Sequence, residues 1–465
     1  MTAVQFVSPH DIRAMFSMAM SDMYRREVPQ YGTLLELVSE INWRARLTNQ
    51  APNGSDPSDR IDVERHGAIR VGTALELKTV RRLFGVMGMS PVGYYSLSSA
   101  GVPVHSTAFR PISDDGLRRN PFRIFTSLLR LELIEDAGLR SHAAEILAKR
   151  NAFTPRCLEL ILQNEREGGL SLAAATQFVS EALNTFRWHS EATVSAQTYK
   201  GLKAVHPLIA DVVCFRGPHI NHLTPRTLAI DAAHAAMRSH GLEAKALIEG
   251  PPARQHPILL RQTSFKALQE AIDFIEPDGS RVASVHTARF GEIEQRGVAL
   301  TPAGRELYDR LLAQASVHPA KDAAQAAAFN SHLTAVFRKF PDSDDAMRKH
   351  GLAYYRYRLA DKFQHRPIEP ETTFAALVSS GQVRCEPITY EDFLPVSAAG
   401  IFRSNLGDEA IGGVSRGGDL TAFEEALGAP VFDPFRLYAE AVTRSREACL
   451  IELGLPIDRE IGVPL

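Results

Sequence analysis

The chain has 465 residues, of which 45% are hydrophobic and 23% are charged, proportions typical of a globular protein with a sizeable core. A formal net charge of −2 at pH 7 argues against a nucleic-acid-binding or membrane-surface protein, and no apolar run is long enough to cross a membrane. The four cysteines are scattered without a C-x-x-C pair, which argues against a disulfide framework. We therefore expect a cytoplasmic protein.

The first part of the chain, residues 1–120, predicts two helices followed by a β-α-β-β module. Capping residues mark the starts of the helices, and short β-branched or alternating runs mark the strands. The predicted elements are helices from residue 9 and from 33 to about 43, a strand at 66–72, a helix from 73, and extended segments at 91–97 and 102–110. Residues 121–204 then predict a helical insertion.

A similar order of elements returns in residues 205–300, which predict a second module. Its predicted elements are an extended segment at 219–226, a helix at 228–240, extended segments at 245–250 and 256–262, a short helix at 265–274 and a strand at 283–295. Residues 301–465 predict a mixed, helix-rich C-terminal region. The fold class expected from this pattern is α+β.

Two histidine–arginine spacings occur in strand-like segments of both modules and in the same order. They are the H-x3-R pairs His66–Arg70 and His222–Arg226, and the H-x4-R pairs His105–Arg110 and His256–Arg261. Coincidence would explain any one match, since neither residue type is rare in this chain. Two matches in the same order favour a diverged duplication.

Histidines at matched places in a duplication suggest a metal held between the modules. Neutral imidazole is the commonest protein ligand of transition metals, and the strand segment FGEIEQ adds Glu292 and Glu294 on one face. Two histidines and one carboxylate are the facial triad of non-haem Fe(II) oxygenases, whereas zinc on the same ligands would suit a hydrolase or lyase. The alternative is a pair of hydrogen-bonded core histidines and a solvated edge strand.

Arg70 follows His66 by four residues on what we expect to be the same face of one strand. A buried guanidinium needs a partner, and two partners are open at this stage: a carboxylate of the protein, or a carboxylate of a substrate held in bidentate fashion. Four residues along a strand span about 13 Å between Cα atoms. A metal at His66 and the guanidinium of Arg70 would therefore hold the two ends of a small dicarboxylate.

The segment GVALTPAGRELYDRLL at 297–312 offers a different interpretation, because it resembles the wing-to-helix end of a winged-helix DNA-binding protein. No recognition helix precedes it, and the balanced charge gives no support for DNA binding. We expect no nucleic-acid partner.

Several longer stretches together are similar to one known family. They are ERHGAIRVGTA, VGYYSLSSAGVPVHSTAFRP, GPHINHLTPRTL, RQTSFKALQE, HTARFGEIEQRG and EDFLPVSAAGIF. On these the chain resembles the bacterial 2-oxoadipate dioxygenase/decarboxylase family, also called hydroxyglutarate synthase, from about residue 5 to beyond 450. The resemblance implies a vicinal oxygen chelate fold, with paired βαβββ modules forming a central curved sheet around a metal, helical insertions and a C-terminal region that contributes pocket residues.

The resemblance also implies a reaction and a set of site residues. The expected reaction is Fe(II)-dependent conversion of 2-oxoadipate and O2 to D-2-hydroxyglutarate and CO2 in lysine catabolism. The implied residues are the metal ligands His66, His222 and Glu292, the substrate-gripping Arg70, and the substrate-contacting Val396 and Ser397. It assigns no role to His105, His256 or Glu294, and no oligomeric state. A zinc-dependent hydrolase or lyase acting on a small dicarboxylate with the same three ligands is the alternative.

Overall fold

A seven-stranded curved sheet lies at the centre of the computed structural model, which describes residues 5–48, 56–98, 101–287, 289–315, 323–360, 372–394 and 418–456. Two further two-stranded sheets lie outside it. The described strands are β1 (Arg65–Val71), β2 (Ser90–Ser96), β3 (Val104–Arg110), β4 (Arg123–Leu129), β5 (His222–Pro225), β6 (Leu260–Ser264), β7 (Gln269–Ile275), β8 (Arg281–Thr287), β9 (Phe290–Arg296), β10 (Tyr355–Leu359) and β11 (Val383–Pro387).

Helices precede, connect and follow these strands, and many begin at a serine or threonine whose hydroxyl accepts a backbone N–H, as Ser8 and Thr73 do. None of the described helices is both long and apolar enough to span a membrane. They are α1 (Pro9–Glu27), α2 (Pro29–Leu47), α3 (Ser58–Val63), α4 (Ala74–Val86), α5 (Asp114–Arg119), α6 (Ala137–Ala148), α7 (Pro155–Glu167), α8 (Leu172–Phe186), α9 (Ala196–Val205), α10 (Pro207–Val213), α11 (Ile230–Ser239), α12 (Pro302–Ala315), α13 (Ala323–Phe337), α14 (Asp344–Lys349), α15 (Phe374–Ser379), α16 (Gly418–Leu427) and α17 (Pro434–Glu452).

The central sheet consists of two similar halves, in the order β2-β3-β4-β1-β5-β9-β6. The strands β1 and β5 pair antiparallel at its middle. In each half the next strand outward is parallel to the middle one, β4 to β1 and β9 to β5. The strand after that is antiparallel, β3 to β4 and β6 to β9. The predicted α+β fold with paired modules and a curved sheet is therefore confirmed.

The strand β1 is buried on both faces, which is why it contains almost only small and β-branched residues beside its polar ones. Ile69 and Val71 face the larger core, where α1, α2, α4 and α8 supply residues such as Phe16 and Leu83. The alternate residues face the concave side of the sheet, where Ala68 packs with a second apolar cluster. The polar residues of β1 on this second face are His66 and Arg70.

Gly67 lies where β1 passes close to its neighbours, and a side chain there would collide with them. A Cβ atom at this position would lie 2.5 Å from Cδ1 of Ile220 and 2.8 Å from the carbonyl oxygen of His222. We expect Gly67→Ala to lower the free energy of unfolding by about 1–3 kcal/mol, as overpacking of a core typically does, measured by urea denaturation. The matched control is Gly85→Ala in α4, where a Cβ meets nothing within 4 Å; it should be neutral or stabilising, and an equal loss in both variants would contradict the packing argument.

Two of the predicted elements are wrong in type. The segment 121–204 is predicted as a mostly helical insertion, but it begins with β4, which pairs with β1 and β3 and completes the first module. The segment 265–274 was expected to be a short helix, but it forms β7, which pairs with β8 in a separate hairpin. The predicted strand at 283–295 is correspondingly two strands, β8 and β9, in different sheets. In each case long-range pairing decided the local structure.

The predicted repeat is right for one spacing and wrong for the other. His66 and His222 occupy equivalent positions, because His66 pairs with Thr224 and Ala68 pairs with His222 across the middle of the sheet. The registers of the outer strands then make Ala108 equivalent to Ser264. His105 therefore corresponds to Arg261 and not to His256, so the two H-x4-R pairs match by coincidence.

The segment 297–312 is part of the C-terminal core. Val298 forms isolated bridges with Ile258 and Thr389, and Tyr308 and Leu311 of α12 pack in one apolar cluster with residues from α13 and α17. The described part of this segment thus joins the second module to the C-terminal region. The resemblance of this segment to a winged helix is therefore confined to its sequence.

Candidate metal and substrate site

Three side chains from adjacent strands meet on the concave side of the central sheet. They are His66 of β1, His222 of β5 and Glu292 of β9, and one ligand atom from each lies within 4.8 Å of the others. All three are fully buried. The first module supplies one of these side chains and the second supplies two, because the position equivalent to Glu292 in β4 is Phe125.

Hydrogen bonds hold Glu292 at this place. Its Oε2 lies 3.1 Å from Nε2 of His66, and it accepts hydrogen bonds from Oγ1 of Thr224 at 2.9 Å and from Nε2 of Gln262 at 3.1 Å. Its Oε1 has no hydrogen-bond partner among the described residues although it is buried. A buried carboxylate oxygen without a donor is uncommon, and here it belongs to a side chain that lies beside two imidazoles. The donor set therefore fits a divalent transition metal.

The far side of His66 is held by a second carboxylate. Nδ1 of His66 lies 3.1 Å from Oε2 of Glu294, and Oε1 of Glu294 accepts a hydrogen bond from Nε of Arg296 at 2.8 Å. Burial alone would raise the pKa of Glu294, but Arg296 and His66 outweigh it and lower that pKa to about 2. Glu294 is therefore an anion within ion-pair distance of Nδ1 of His66, while Nε2 of the same ring faces Glu292. A carboxylate lies in this position behind many metal-bound histidines.

A network of buried ion pairs surrounds this end of the site. Glu64, which precedes His66 by two residues, accepts hydrogen bonds from Arg123 at 2.8 Å and from Arg226 at 2.9 Å. Burial would raise the pKa of Glu64, but Arg226 and Arg123 hold it well below its usual range. Paired buried charges of this kind are costly to disturb singly, so the network gives the metal end a fixed frame.

Arg70 lies at the other end of the concave face, and a carboxylate of the protein contacts it. Nη1 of Arg70 donates a hydrogen bond to Oδ2 of Asp211 at 2.6 Å. The other oxygen of Asp211 lies 2.9 Å from Nε2 of His286 and 3.3 Å from Nε2 of His219. Arg70 is the most exposed member of this group, with 11% of its side chain accessible.

The surface between the two ends is apolar. Ala68 lies between His66 and Arg70 on β1, with Phe125 opposite it on β4. The ring of Phe393 packs against the ring of His66 at 5.0 Å between centroids and against Phe125 at 5.4 Å. The site therefore has a candidate metal-binding end, an apolar middle and a cationic end, which suits a short chain with a carboxylate at each terminus.

The chain is similar to known proteins over most of its length. The family model described as 2-oxoadipate dioxygenase/decarboxylase matches residues 16–405. The chain belongs to this family. A 2-oxoadipate dioxygenase/decarboxylase of Pseudomonas putida is 56% identical over 98% of this chain and 99% of its own length, and one of Escherichia coli is 56% identical over 95% of this chain and 98% of its own.

A solved structure from the same family shares the whole fold. The crystal structure of the hydroxyglutarate synthase of Pseudomonas putida in complex with 2-oxoadipate is 55% identical to this chain. It covers 97% of this chain and 99% of its own, with a TM-score of 0.88. The 2-oxoadipate dioxygenase/decarboxylase fold therefore extends over almost all of this chain.

The structure brings some of the site residues predicted from the sequence together and places others elsewhere. The structure brings His66, His222 and Glu292 together, and it places Arg70 on the same face with Asp211 as a partner. Val396 and Ser397 lie outside the described residues.

The two histidines of the H-x4-R pairs lie apart from this cluster. The ring of His105 packs against the ring of Phe423 at 4.7 Å between centroids. Burial, and after it the charge of Arg130, lowers the pKa of His105 to about 4. His256 pairs with Asp344 at 2.9 Å. Both contacts are made with the C-terminal region, so these histidines connect it to the modules.

Sequence reasoning missed several residues that surround this candidate site. Thr224 and Gln262 donate hydrogen bonds to Glu292. Strand alternation is the pattern that could have indicated them, because Thr224 follows His222 by two residues and Gln262 lies in a predicted strand. No sequence pattern indicated Asp211, because it lies on α10 and is 141 residues from Arg70 in the sequence. Its neighbour His219 is the first histidine of the HINH motif.

Removing the charge of Glu294 should weaken metal binding while leaving the three candidate ligands in place. Loss of the partner behind a metal-bound histidine typically costs about 10–100-fold in metal affinity. We expect that loss for Glu294→Gln, measured by competition of the metal with a chromophoric chelator. The matched control is Glu270→Gln, which removes a carboxylate paired with Arg289 on the separate hairpin. Unchanged metal affinity in Glu294→Gln would contradict a role of this carboxylate behind His66.

Proposed function

We propose that this protein is an Fe(II)-dependent dioxygenase and decarboxylase that converts 2-oxoadipate and O2 to D-2-hydroxyglutarate and CO2. The observation that carries the proposal is the buried His66–His222–Glu292 cluster in a chain of the 2-oxoadipate dioxygenase/decarboxylase family. Two imidazoles and one carboxylate are the ligand set of non-haem Fe(II) oxygenases. A relative with 55% identity was crystallised with 2-oxoadipate, which supports the same substrate here.

His66, His222 and Glu292 would hold the iron, and Glu294 would fix the orientation of His66. Bound iron would supply the oxygen chemistry that protein side chains lack. The protein's own residues provide orientation and a dry site. Ala68, Phe125 and Phe393 present apolar surface between the two ends, which would keep water away from the carbon chain of the substrate.

Arg70 would pair with the distal carboxylate of 2-oxoadipate, and Val396 and Ser397 would contact the substrate from the C-terminal region. A guanidinium recognises a carboxylate with two parallel hydrogen bonds, which fixes both its position and its direction. Holding the distal end sets which carbon of the chain lies at the metal end. Arg70 would therefore determine the reacting position as well as affinity.

We further propose that the protein acts in the cytoplasm, in lysine catabolism. The cysteines at 157, 214, 385 and 449 are free, and three of the four are buried. Free thiols are the usual state in a reducing compartment. The reaction consumes a six-carbon 2-oxo diacid, so an upstream reaction must supply that acid.

The test is anaerobic reconstitution with Fe(II), followed by 2-oxoadipate and air. We expect O2 uptake matched one to one by CO2 and by hydroxyglutarate, followed with an oxygen electrode and mass spectrometry. The control is the protein loaded with Zn(II), which takes the same ligands but has no redox chemistry. Turnover of a small dicarboxylate by the zinc form without O2 uptake would replace the proposal with a hydrolase or lyase.

A further inference from the structure

Asp211 contacts two histidines in addition to Arg70, which is more than an ion pair with Arg70 alone requires. It lies in α10 and is buried, with 7% of its side chain accessible. Its two oxygens are divided between different partners: Oδ2 faces Nη1 of Arg70, whereas Oδ1 faces the Nε2 atoms of His286 and His219. Burial alone would raise the pKa of Asp211, but His219, Arg70 and His286 outweigh it and hold that pKa well below its usual range. The carboxylate is therefore a fixed anion.

The two imidazoles are themselves held in place. The hydroxyl of Tyr199 lies 2.8 Å from Nδ1 of His286, and the ring of Phe215 packs against His286 at 4.6 Å between centroids. Trp188 stacks parallel to His286 and packs edge-on against His219. These contacts come from α9, β8, and the segments that follow α8 and α10. The position of Asp211 is therefore determined by several elements at once.

The equivalent arginine of the other module is more enclosed than Arg70. Arg226 occupies the position of Arg70 in the second half, and it is enclosed by Glu64 and Asp56 at 2.9 and 2.6 Å. Those two carboxylates leave Arg226 with 4% of its side chain accessible, compared with 11% for Arg70. The greater exposure of Arg70 matches a place for a carboxylate supplied by a ligand.

We propose that Asp211 is a positioning residue that orders Arg70 in advance for the distal carboxylate of the substrate, and so sets the preference for 2-oxo diacids over 2-oxo monoacids. The proposal rests on the proposed function. A free arginine side chain loses rotamer freedom when it binds, and a partner that restricts it beforehand lowers that cost. His286 and His219 hold the other oxygen of Asp211, so the anion stays in place when a second carboxylate approaches.

The kinetic test compares Asp211→Asn with the wild-type iron enzyme on two substrates of equal chain length, 2-oxoadipate and 2-oxohexanoate. We expect kcat/KM for 2-oxoadipate to fall about 10–100-fold, the scale of a misplaced positioning contact, mainly through KM. For 2-oxohexanoate, which lacks the distal carboxylate, we expect less than about a twofold change. Glu165→Gln, which alters a carboxylate–arginine pair with Arg82 between α4 and α7, should leave both values unchanged. An equal loss of kcat/KM for both substrates, or a lower KM for 2-oxoadipate, would overturn the proposal.

A binding test separates this proposal from the proposed function, because it needs no turnover. The zinc-loaded protein is titrated with each acid while the fluorescence of Trp188, which stacks on His286, is followed in a Trp43→Phe background. We expect Asp211→Asn to raise Kd for 2-oxoadipate about tenfold, in line with the kinetic change, and to leave Kd for 2-oxohexanoate unchanged. Unchanged Kd for both acids would overturn the role of Asp211 even if the enzyme is an active dioxygenase.

A second variant covers the case in which Asp211→Asn does not fold. His286→Phe removes the imidazole that faces Oδ1 of Asp211 and keeps Asp211 itself. We expect it to lower the ratio of 2-oxoadipate to 2-oxohexanoate affinity in the same direction as Asp211→Asn. An unchanged ratio in a folded His286→Phe protein would count against the proposal.

Discussion

Replacing His222 by alanine is expected to abolish both metal binding and turnover. His222 is fully buried and lies on β5, the middle strand that pairs with β1 across the centre of the sheet. Its removal leaves one imidazole and one carboxylate, too few to hold a transition metal firmly. Loss of a residue behind a ligand costs about 10–100-fold in affinity, and loss of a ligand should exceed that.

The measurement is bound Fe(II) after anaerobic gel filtration, together with O2 uptake on adding 2-oxoadipate. Glu292→Gln, which keeps the volume of the third side chain, should give the same loss of metal. The control is His256→Ala, since this histidine pairs with Asp344 in the C-terminal region and the variant should retain full metal content. A His222→Ala protein that binds one equivalent of iron and turns over normally would show that the cluster is not the metal site.

The sequence predicted the parts of the site that depend on a single strand. The alternation of β1 places His66, Ala68 and Arg70 on one face, and that face is the concave side of the sheet. The choice between Glu292 and Glu294 was not available from alternation, because both lie on the same face of β9. Only the register between β6, β9 and β5 brings Glu292 to Thr224 and leaves Glu294 behind His66.

The failures have the same physical origin. The run RIFTSLL at 123–129 is buried along its whole length, and a short buried strand and a buried helical segment look alike in sequence. Asp211 could not be found because its partners, Arg70 and His286, are 141 and 75 residues away. Contacts between residues so far apart in sequence depend on the tertiary fold. They are therefore seen only in the structure, where the two modules lie side by side.

Arg70→Ala is expected to keep the metal and lose most of the turnover of 2-oxoadipate. Truncating one partner of a buried charge pair typically costs about 3–5 kcal/mol, which at about 1.36 kcal/mol per tenfold corresponds to about a 10²- to 10⁴-fold loss in kcat/KM. Metal content should be unchanged, because Arg70 lies four residues along β1 from His66. Steady-state kinetics on protein of measured iron content gives both numbers.

Part of that loss would come from Asp211, which loses its guanidinium partner in the same variant. Asp211→Asn and the double variant with Arg70→Ala separate the two contributions in a double-mutant cycle. Arg70→Lys is the second comparison, since lysine keeps the charge but lacks the planar fork. We expect it to recover less than full activity with 2-oxoadipate. Full activity in Arg70→Ala would mean that the distal carboxylate is held elsewhere, and Asp211 would then be only the structural partner of a buried arginine.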